Sequence, residues 1–409
     1  MKILHTSDWH LGKNFYSKSR KDEHQAFFAW LLEQVKNEDI DAIIVAGDIF
    51  DTTAPPSYAR EMYNQLVADL QTYACSLIIL GGNHDSVAVL NESKPLLQRS
   101  NAYVVASTAL PLAEQLIKLP NSQGKPGALV CAVPFIRVRD VLQSQADESL
   151  AQKNTNLDQA IREYYQQLYQ AAVDYRQAHN LAVPIIMTGH LAALGVSLSD
   201  SVRDIYIGNL SGFAVDGFPP ADYIALGHIH RPQLVGKQEH IRYSGSPIPL
   251  EFDELNTTKQ VVLVEFAQDQ LINLRTLDIP RFHPMAVLSG SLNKIAQQLQ
   301  ELPASQLPIW LQLQVTETGF ISDLYQRVAE ITAGLNVEVL RLKREQPNQS
   351  NTLLQSNNES LEEFTPQQVF AKRLELAALT NTQGEPDTAT EQRLTLLHSK
   401  LLEELEEQA

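Results

Sequence analysis

Five short apolar runs in the first 230 residues each end in side chains that bind divalent metal ions or move protons. Ile3-Leu4 leads to Ser7-Asp8-Trp9-His10, and the run from Ala42 to Ala46 leads to Gly47-Asp48-Ile49-Phe50-Asp51. The run from Leu77 to Leu80 leads to Gly82-Asn83-His84-Asp85. Pro184 to Met187 leads to Gly189-His190, and Tyr223 to Leu226 leads to Gly227-His228-Ile229-His230. One such cluster says little, but five at corresponding positions are hard to ascribe to chance. In an extended segment residues i and i+2 point the same way. Asp8 and His10 are therefore expected to reach one metal, and His228 and His230 to face one site. Neighbours diverge, so Asn83 can ligate while His84 points elsewhere. The glycines before Asp48, Asn83, His190 and His228 allow tight turns and close backbone approach.

Mixed imidazole and carboxylate ligands suit Mn²⁺, Fe²⁺ or Zn²⁺ better than Ca²⁺. Asp48, central in the set, is the natural bridging carboxylate between two ions. Two divalent ions against two ligating aspartates leave a site of about +2, which attracts a phosphate ester and acidifies water. His84, adjacent and unligated, is placed to protonate a leaving oxygen or bind the transition state. A lone His190 would more often be a core histidine, and it is the companion clusters that favour ligation. Asp51 has two readings, support for a neighbouring ligand or a turn residue. His5 and His24 are read as non-ligands. Lys13, Lys18, Arg20 and Lys21 follow the first ligand pair, either as a solvated loop or as contacts to DNA phosphates, and Arg231 has the same two readings.

These residues need strands to carry them. Between the first two runs Phe27, Trp30, Leu31, Gln34 and Val35 recur at helical spacing. Between the next two, Tyr58, Met62, Leu66 and Leu70 do the same, with Ser57 as the expected N-cap. Strands alternating with helices indicate an α/β fold with functional groups at the carboxyl ends of strands. VVLVEF and LINLRTLDI read as closing strands of a domain spanning 1–280. A strand, helix, strand, helix, strand pattern over 281–344 reads as a small α/β cap. A polar, Asn/Gln/Ser-rich linker is expected over 345–364, and two helices over 365–409, with stripes at Phe370, Leu374 and Ala377 and at Leu394, Leu397, Leu401 and Leu405. That acidic hairpin either packs back on its own protein or docks on a partner.

The chain has 409 residues, 44% of them hydrophobic, enough for a sizeable core without disulfides. Its 32 Lys+Arg and 48 Asp+Glu give a net charge of −16. That excludes broad, metal-free coating of DNA, but not a nucleic-acid enzyme whose positive charge is local or supplied by metals. Cys75 and Cys131 sit in apolar surroundings and read as buried, reduced thiols. MKILHTSDWH meets Asp8 before any apolar stretch, and no run of about 18 apolar residues occurs, so neither a signal peptide nor a membrane span is expected.

Asp-x-His, Gly-Asp, Gly-Asn-His, Gly-His and Gly-His-x-His, in this order, resemble the calcineurin-like metallophosphoesterases. Longer segments resemble the double-strand-break repair nuclease branch of that superfamily. They are HTSDWHLGKNFYSKSR at 5–20, DAIIVAGDIFDT at 41–52, GGNHDS at 81–86, VRDIYIG at 202–208, DYIALGHIHRPQ at 222–233 and YSGSPIPLEFDE at 243–254. The resemblance runs from Met1 to about residue 260, and beyond that the cap and tail agree in layout. It implies a β-sandwich flanked by helices, with a small α/β cap domain and a C-terminal helical hairpin.

The resemblance also implies one ion on Asp8, His10, Asp48 and His230, a second on Asp48, Asn83, His190 and His228, and His84 as the catalytic histidine. It implies Mn²⁺-dependent cleavage of double-stranded DNA ends and hairpins, as exonuclease and endonuclease. It implies a homodimer paired through helices of the catalytic domain, for which helix 57–73 (Tyr58, Met62, Leu66) is a candidate, and an SMC-like coiled-coil ATPase partner that uses the ATP and receives the C-terminal helices. A cytoplasmic, nucleoid-associated location follows. Protein phosphatases of the superfamily continue Gly-Asp-x-x-Asp with Arg-Gly. Here Asp51 precedes Thr52-Thr53, so that phosphate-gripping arginine is missing. A small-molecule phosphodiesterase or phosphomonoesterase is the alternative, and it leaves the residues after 260 without a purpose. A non-catalytic scaffold would be expected to have lost ligands. The motifs of zinc deaminases and HExxH proteases are absent.

Overall fold

A computed structural model describes residues 1–92, 94–97, 100–121, 123–141, 150–197, 199, 202, 212–316, 323–344, 390, 393, 394 and 397. The linker, most of the expected C-terminal hairpin and most of the 202–208 motif lie outside these residues.

Two six-stranded mixed sheets form the catalytic region. The first runs in the order Gln270–Asp278, Gln260–Ala267, Lys2–Thr6, Ala42–Val45, Ser76–Leu80, Ala102–Val105. Its last four strands are parallel, and the two closing strands are antiparallel. The second runs Gln233–Val235, Gln238–Tyr243, Tyr223–Gly227, Ile185–His190, Pro126–Cys131, Leu116–Pro120, parallel in its middle and antiparallel at both edges. The sheets pack face to face. Ile3, Ile44, Ile78 and Val262 of the first meet Val130, Ile186, Tyr223 and Ala225 of the second.

Each outer face is covered by helix, which explains why these strands read as continuous apolar runs rather than alternating ones. Helix Lys21–Glu38 lays Phe27, Leu31 and Val35 on the first sheet, and helix Ser57–Gln71 adds Met62, Leu66 and Leu70. Each such side chain contributes ~1.5–3 kcal/mol when fully buried. Helix Leu150–Ala178 covers the second sheet with Leu157, Ile161, Tyr165, Leu168 and Ala172. The result is a helix-flanked β-sandwich.

Two details differ from the sequence reading. Ser57 is the first helical residue, not the N-cap. Pro56 holds the cap position with extended backbone at φ −63°, ψ 154°, and its carbonyl accepts from Ala59 N. Met62 and Leu66 point into the core, so an outward contact by that helix would have to use its exposed residues, such as Arg60 and Glu61.

The small third sheet, Met285–Gly290, Ile309–Val315 and Val337–Arg344, is all parallel. Helices Leu292–Gln300 and Leu324–Thr332 connect its strands, and Leu288, Ile295, Leu299, Leu311, Leu313 and Val328 form its core. Ser291 caps the first of these helices, accepting from Lys294 N. Met285 and Trp310 pack with Phe15 and Phe252 of the sandwich region.

Candidate metal centre

All five ligand-bearing loops leave the carboxyl ends of parallel strands at one end of the sandwich. The first two are laced together, with Asp8 N donating to Gly47 O at 3.0 Å, His10 N to Asp48 O at 3.0 Å and Leu11 N to Ile49 O at 2.9 Å. Asp8, His10, Asp48 and His228 all adopt positive φ, at 54°, 47°, 52° and 94°. This corrects the extended geometry expected from sequence. Left-handed kinks just past the strands, rather than strand alternation, aim these side chains. Such conformations are costly away from glycine and persist where surrounding bonds impose them. The need for glycine is clearest at Gly82, where a Cβ would overlap the Asp48 carboxylate and backbone nitrogen.

The buried side chains converge in three overlapping groups: Asp8, His10 and His230; His10, Asp48 and His84; and Asp48, His190 and His228. Within each, one ligand atom per residue lies within 4.8 Å of the others. Asp48 Oδ2 lies 3.5 Å from His10 Nε2 and 3.3 Å from His190 Nε2, so one carboxylate oxygen faces both sides. Asn83 Oδ1 lies 2.9 Å from His190 Nε2, and His230 Nε2 lies 3.2 Å from His10 Nε2.

The donor set fits divalent ions. His190 Nδ1 lies 2.8 Å from the Ala46 carbonyl, which only accepts, so Nδ1 carries hydrogen. In the neutral ring, Nε2 then presents a lone pair to two oxygens. His10 repeats the pattern, with Nδ1 at 3.1 Å from Asp51 Oδ1 and Nε2 toward Asp48 and His230. Lone pairs so arranged repel unless a cation, or failing that a proton, sits among them. The titration behaviour agrees. Burial alone pulls His190 down, but the facing Asp48 carboxylate outweighs it and lifts the imidazole to about 9. Burial pushes Asp48 up, yet His190, His10 and His84 hold it well below the usual carboxylate range.

His84 borders this group. Its backbone N donates to Asp48 Oδ1 at 3.0 Å, its Nδ1 lies 2.8 Å from the Asp51 carbonyl, and its ring meets that of His10 edge-on at 4.7 Å.

Comparison with known proteins shows the family to which the chain belongs. The calcineurin-like phosphoesterase family matches residues 1–232, and the Type 5 capsule protein repressor C-terminal domain matches residues 281–377. The D-subunit of the SbcCD nuclease from Escherichia coli strain K12 is 48% identical over 94% of this chain and 95% of its own length. The D-subunit from Rhodobacter capsulatus is 33% identical over 70% of this chain and 71% of its own, and that from Bacillus subtilis 31% over 65% and 66%. The chain belongs to the family of SbcCD nuclease D-subunits, within the calcineurin-like phosphoesterases. It is a metal-dependent phosphodiesterase of the nuclease type, and its clustered imidazoles and carboxylates are candidate ligands for divalent metal.

The remaining residues singled out from this phosphoesterase's sequence fare unevenly. Asp51 supports a neighbour, since it takes His10 Nδ1 and Lys13 Nζ, both at 3.1 Å, on the same oxygen. His5 lies inside the sandwich against Tyr223 Oη and the Leu226 carbonyl, and burial lowers it to about 3. His24 donates to the Trp9 carbonyl and is lowered likewise to about 3. Both are structural. Arg20 is wrongly read as a DNA contact. It is fully buried, pairs with Glu23, donates to Pro249 O at 2.6 Å and lies over the Phe15 ring, so it cannot reach a phosphate. Lys18 pairs with Glu338 of the cap, and Arg231 with Asp253 at 2.7 Å. Cys75 and Cys131 are free and buried.

Three residues have a supporting role that the sequence reading did not assign. Asp85 accepts from Ile49 N, Phe50 N and Gly82 N, tying the second loop to the third. Its position right after His84 was the available signal. Glu254 and Lys259 form a buried pair against His230, and nothing local in sequence ties them to a residue more than twenty positions earlier.

Proposed function

We propose that this chain is the nuclease subunit of a complex with an SMC-like coiled-coil ATPase, SbcC in its relatives, and that it cleaves phosphodiester bonds at double-stranded DNA ends and hairpins. The observation that carries the proposal is the convergence of lone pairs around Asp48 Oδ2, which asks for two cations side by side. Asp8, His10, Asp48 and His230 would hold one ion, and Asp48, Asn83, His190 and His228 the other. Mn²⁺ suits this donor set. Bound there, two divalent ions supply Lewis acidity to a phosphate diester and lower the pKa of water.

The protein's own groups do the rest. Asp48 turns one carboxylate oxygen toward both His10 and His190 and so would contribute to both positions. Asp51 and the Ala46 carbonyl fix the tautomers of His10 and His190. As the imidazolium, His84 keeps its Nδ1 hydrogen on the Asp51 carbonyl and gives its Nε2 proton to the leaving oxygen, ending as the neutral ring. Lys13, at the rim, adds positive charge toward a DNA phosphate. A homodimer, and a cytoplasmic, nucleoid-associated location, complete the proposal. Among the described residues no helix is long and apolar enough to cross a membrane.

The test incubates the purified chain, with and without its ATPase partner, with linear and hairpin DNA in Mn²⁺. Wild type cleaves both. Asp48→Ala loses ions and activity together, whereas His84→Ala keeps the ions and loses roughly 10²–10⁴-fold in rate. Equal cleavage by wild type and Asp48→Ala, or a metal content near zero, defeats the proposal. Turnover of small diesters with none of DNA would favour the small-molecule alternative. Deleting 365–409 is expected to spare metal binding and abolish co-elution with the ATPase. Unchanged co-elution would place the contact elsewhere.

A further inference from the structure

His230 is gripped from both ends by one buried ion pair. Glu254 is fully buried and Lys259 nearly so. Lys259 Nζ donates to Glu254 Oε2 at 2.6 Å, to Ser246 Oγ at 2.8 Å and to the His230 carbonyl at 3.0 Å. Glu254 Oε2 also accepts from Leu250 N at 3.0 Å, while Oε1 lies 3.5 Å from His230 Nδ1. The carboxylate belongs to the short turn Phe252–Glu254, whose Phe252 is wedged between Phe15, Met285 and Trp310. The turn therefore cannot drift.

A buried ion pair is a poor device for stability. Desolvating two charges costs as much as their attraction returns, and apolar residues of similar size often serve as well. Its retention beside a metal-binding histidine needs another reason, and the geometry supplies one. We propose that Glu254, held in place by Lys259, is the positioning residue for His230, accepting its Nδ1 hydrogen and so directing the Nε2 lone pair at the ion that His230 shares with Asp8 and His10. The inference rests on the metal assignment made above.

Asp51 stands to His10 as Glu254 stands to His230, so both histidines of this position are backed by a carboxylate. His190, at the other position, is backed by the Ala46 carbonyl, which is neutral. A carboxylate behind an imidazole raises its basicity as a ligand, and loss of such support typically weakens metal binding ~10–100-fold. The two positions are therefore unequal, and the one containing His230 fills first.

Calorimetric Mn²⁺ titration and electron paramagnetic resonance test this on the full chain. Four proteins are compared: wild type, His230→Ala, Glu254→Gln, and the charge-free double variant Glu254→Leu/Lys259→Met. Wild type takes up two ions, the first more tightly. Glu254→Gln keeps the shape but not the charge, and is expected to weaken the tighter ion about tenfold. The double variant is expected to weaken it ~10–100-fold, leaving the second ion nearly unchanged. Wild-type affinity for both ions in the Glu254 variants, with one ion lost in His230→Ala, overturns the positioning role alone. A double variant that fails to fold also overturns it, because the pair then holds the fold rather than the histidine. Two ions retained by His230→Ala would sink the metal assignment itself.

Discussion

Asp85→Asn is the sharpest test of how the loops are held. The carboxylate is buried, with Oδ2 accepting from Gly82 N at 2.8 Å and Ile49 N at 3.1 Å, and Oδ1 from Phe50 N at 2.9 Å. An amide has one oxygen. Whichever way Asn turns, its NH₂ group confronts at least one backbone N–H, which is left buried and unpaired at ~1–3 kcal/mol. The two surviving bonds lose their charge assistance, about 1 kcal/mol each. Against this, removing the charge relieves burial and the repulsion of Asp48, which together push Asp85 up to about 6. The balance in the metal-free protein is a loss of about 2 kcal/mol, or ~4–8 °C in unfolding temperature at the rate typical of domains near this size. With ions bound, Asp48 is neutralised, the relief shrinks and the penalty grows. The metal-induced rise in unfolding temperature should therefore be smaller in the variant than in wild type. Differential scanning calorimetry with and without Mn²⁺, with calorimetric titration for affinity, reads both effects. An Asp85→Asn protein that unfolds within a degree of wild type and binds Mn²⁺ equally well would refute the reasoning.

Two further predictions concern charge. Arg20→Ala strips Glu23 of its partner inside the protein, which should cost ~3–5 kcal/mol of stability. DNA affinity per folded molecule should be unchanged, whereas Lys13→Ala should weaken DNA binding. A folded Arg20→Ala with a selective DNA-binding defect would contradict its burial. In the metal-free chain His190 is raised from 6.5 to about 9, so its contribution to stability is present in full below pH 6.5 and is lost as pH rises through 9. Mn²⁺ binding near neutral pH should therefore release about one proton from this ring. Titrations in buffers of different ionisation enthalpy measure that release, and a value near zero counts against the arrangement.

Much of this was legible in the chain because strand ends concentrate chemistry. An apolar run followed by Gly-Asp or Gly-His marks both a buried parallel strand and what it delivers, and all five runs proved to be strands meeting at one end of the sandwich. Arg20 misled because a basic residue beside ligands looks alike in sequence whether it faces solvent or an internal glutamate. Glu23, one turn on, was the overlooked sign.

The amino-acid sequence by itself determined the α/β alternation, the candidate metal-binding side chains and the order in which the strands present them, since these depend on local periodicity and residue chemistry. Only the tertiary structure decided the left-handed backbone at Asp8, His10, Asp48 and His228, the sharing of Asp48 Oδ2 between His10 and His190, and the reach of Glu254 and Lys259 back to His230. The reason is physical. A left-handed kink or a buried charge is unfavourable on its own and exists only where contacts from distant segments make up the difference, and such contacts leave no spacing signature in the chain.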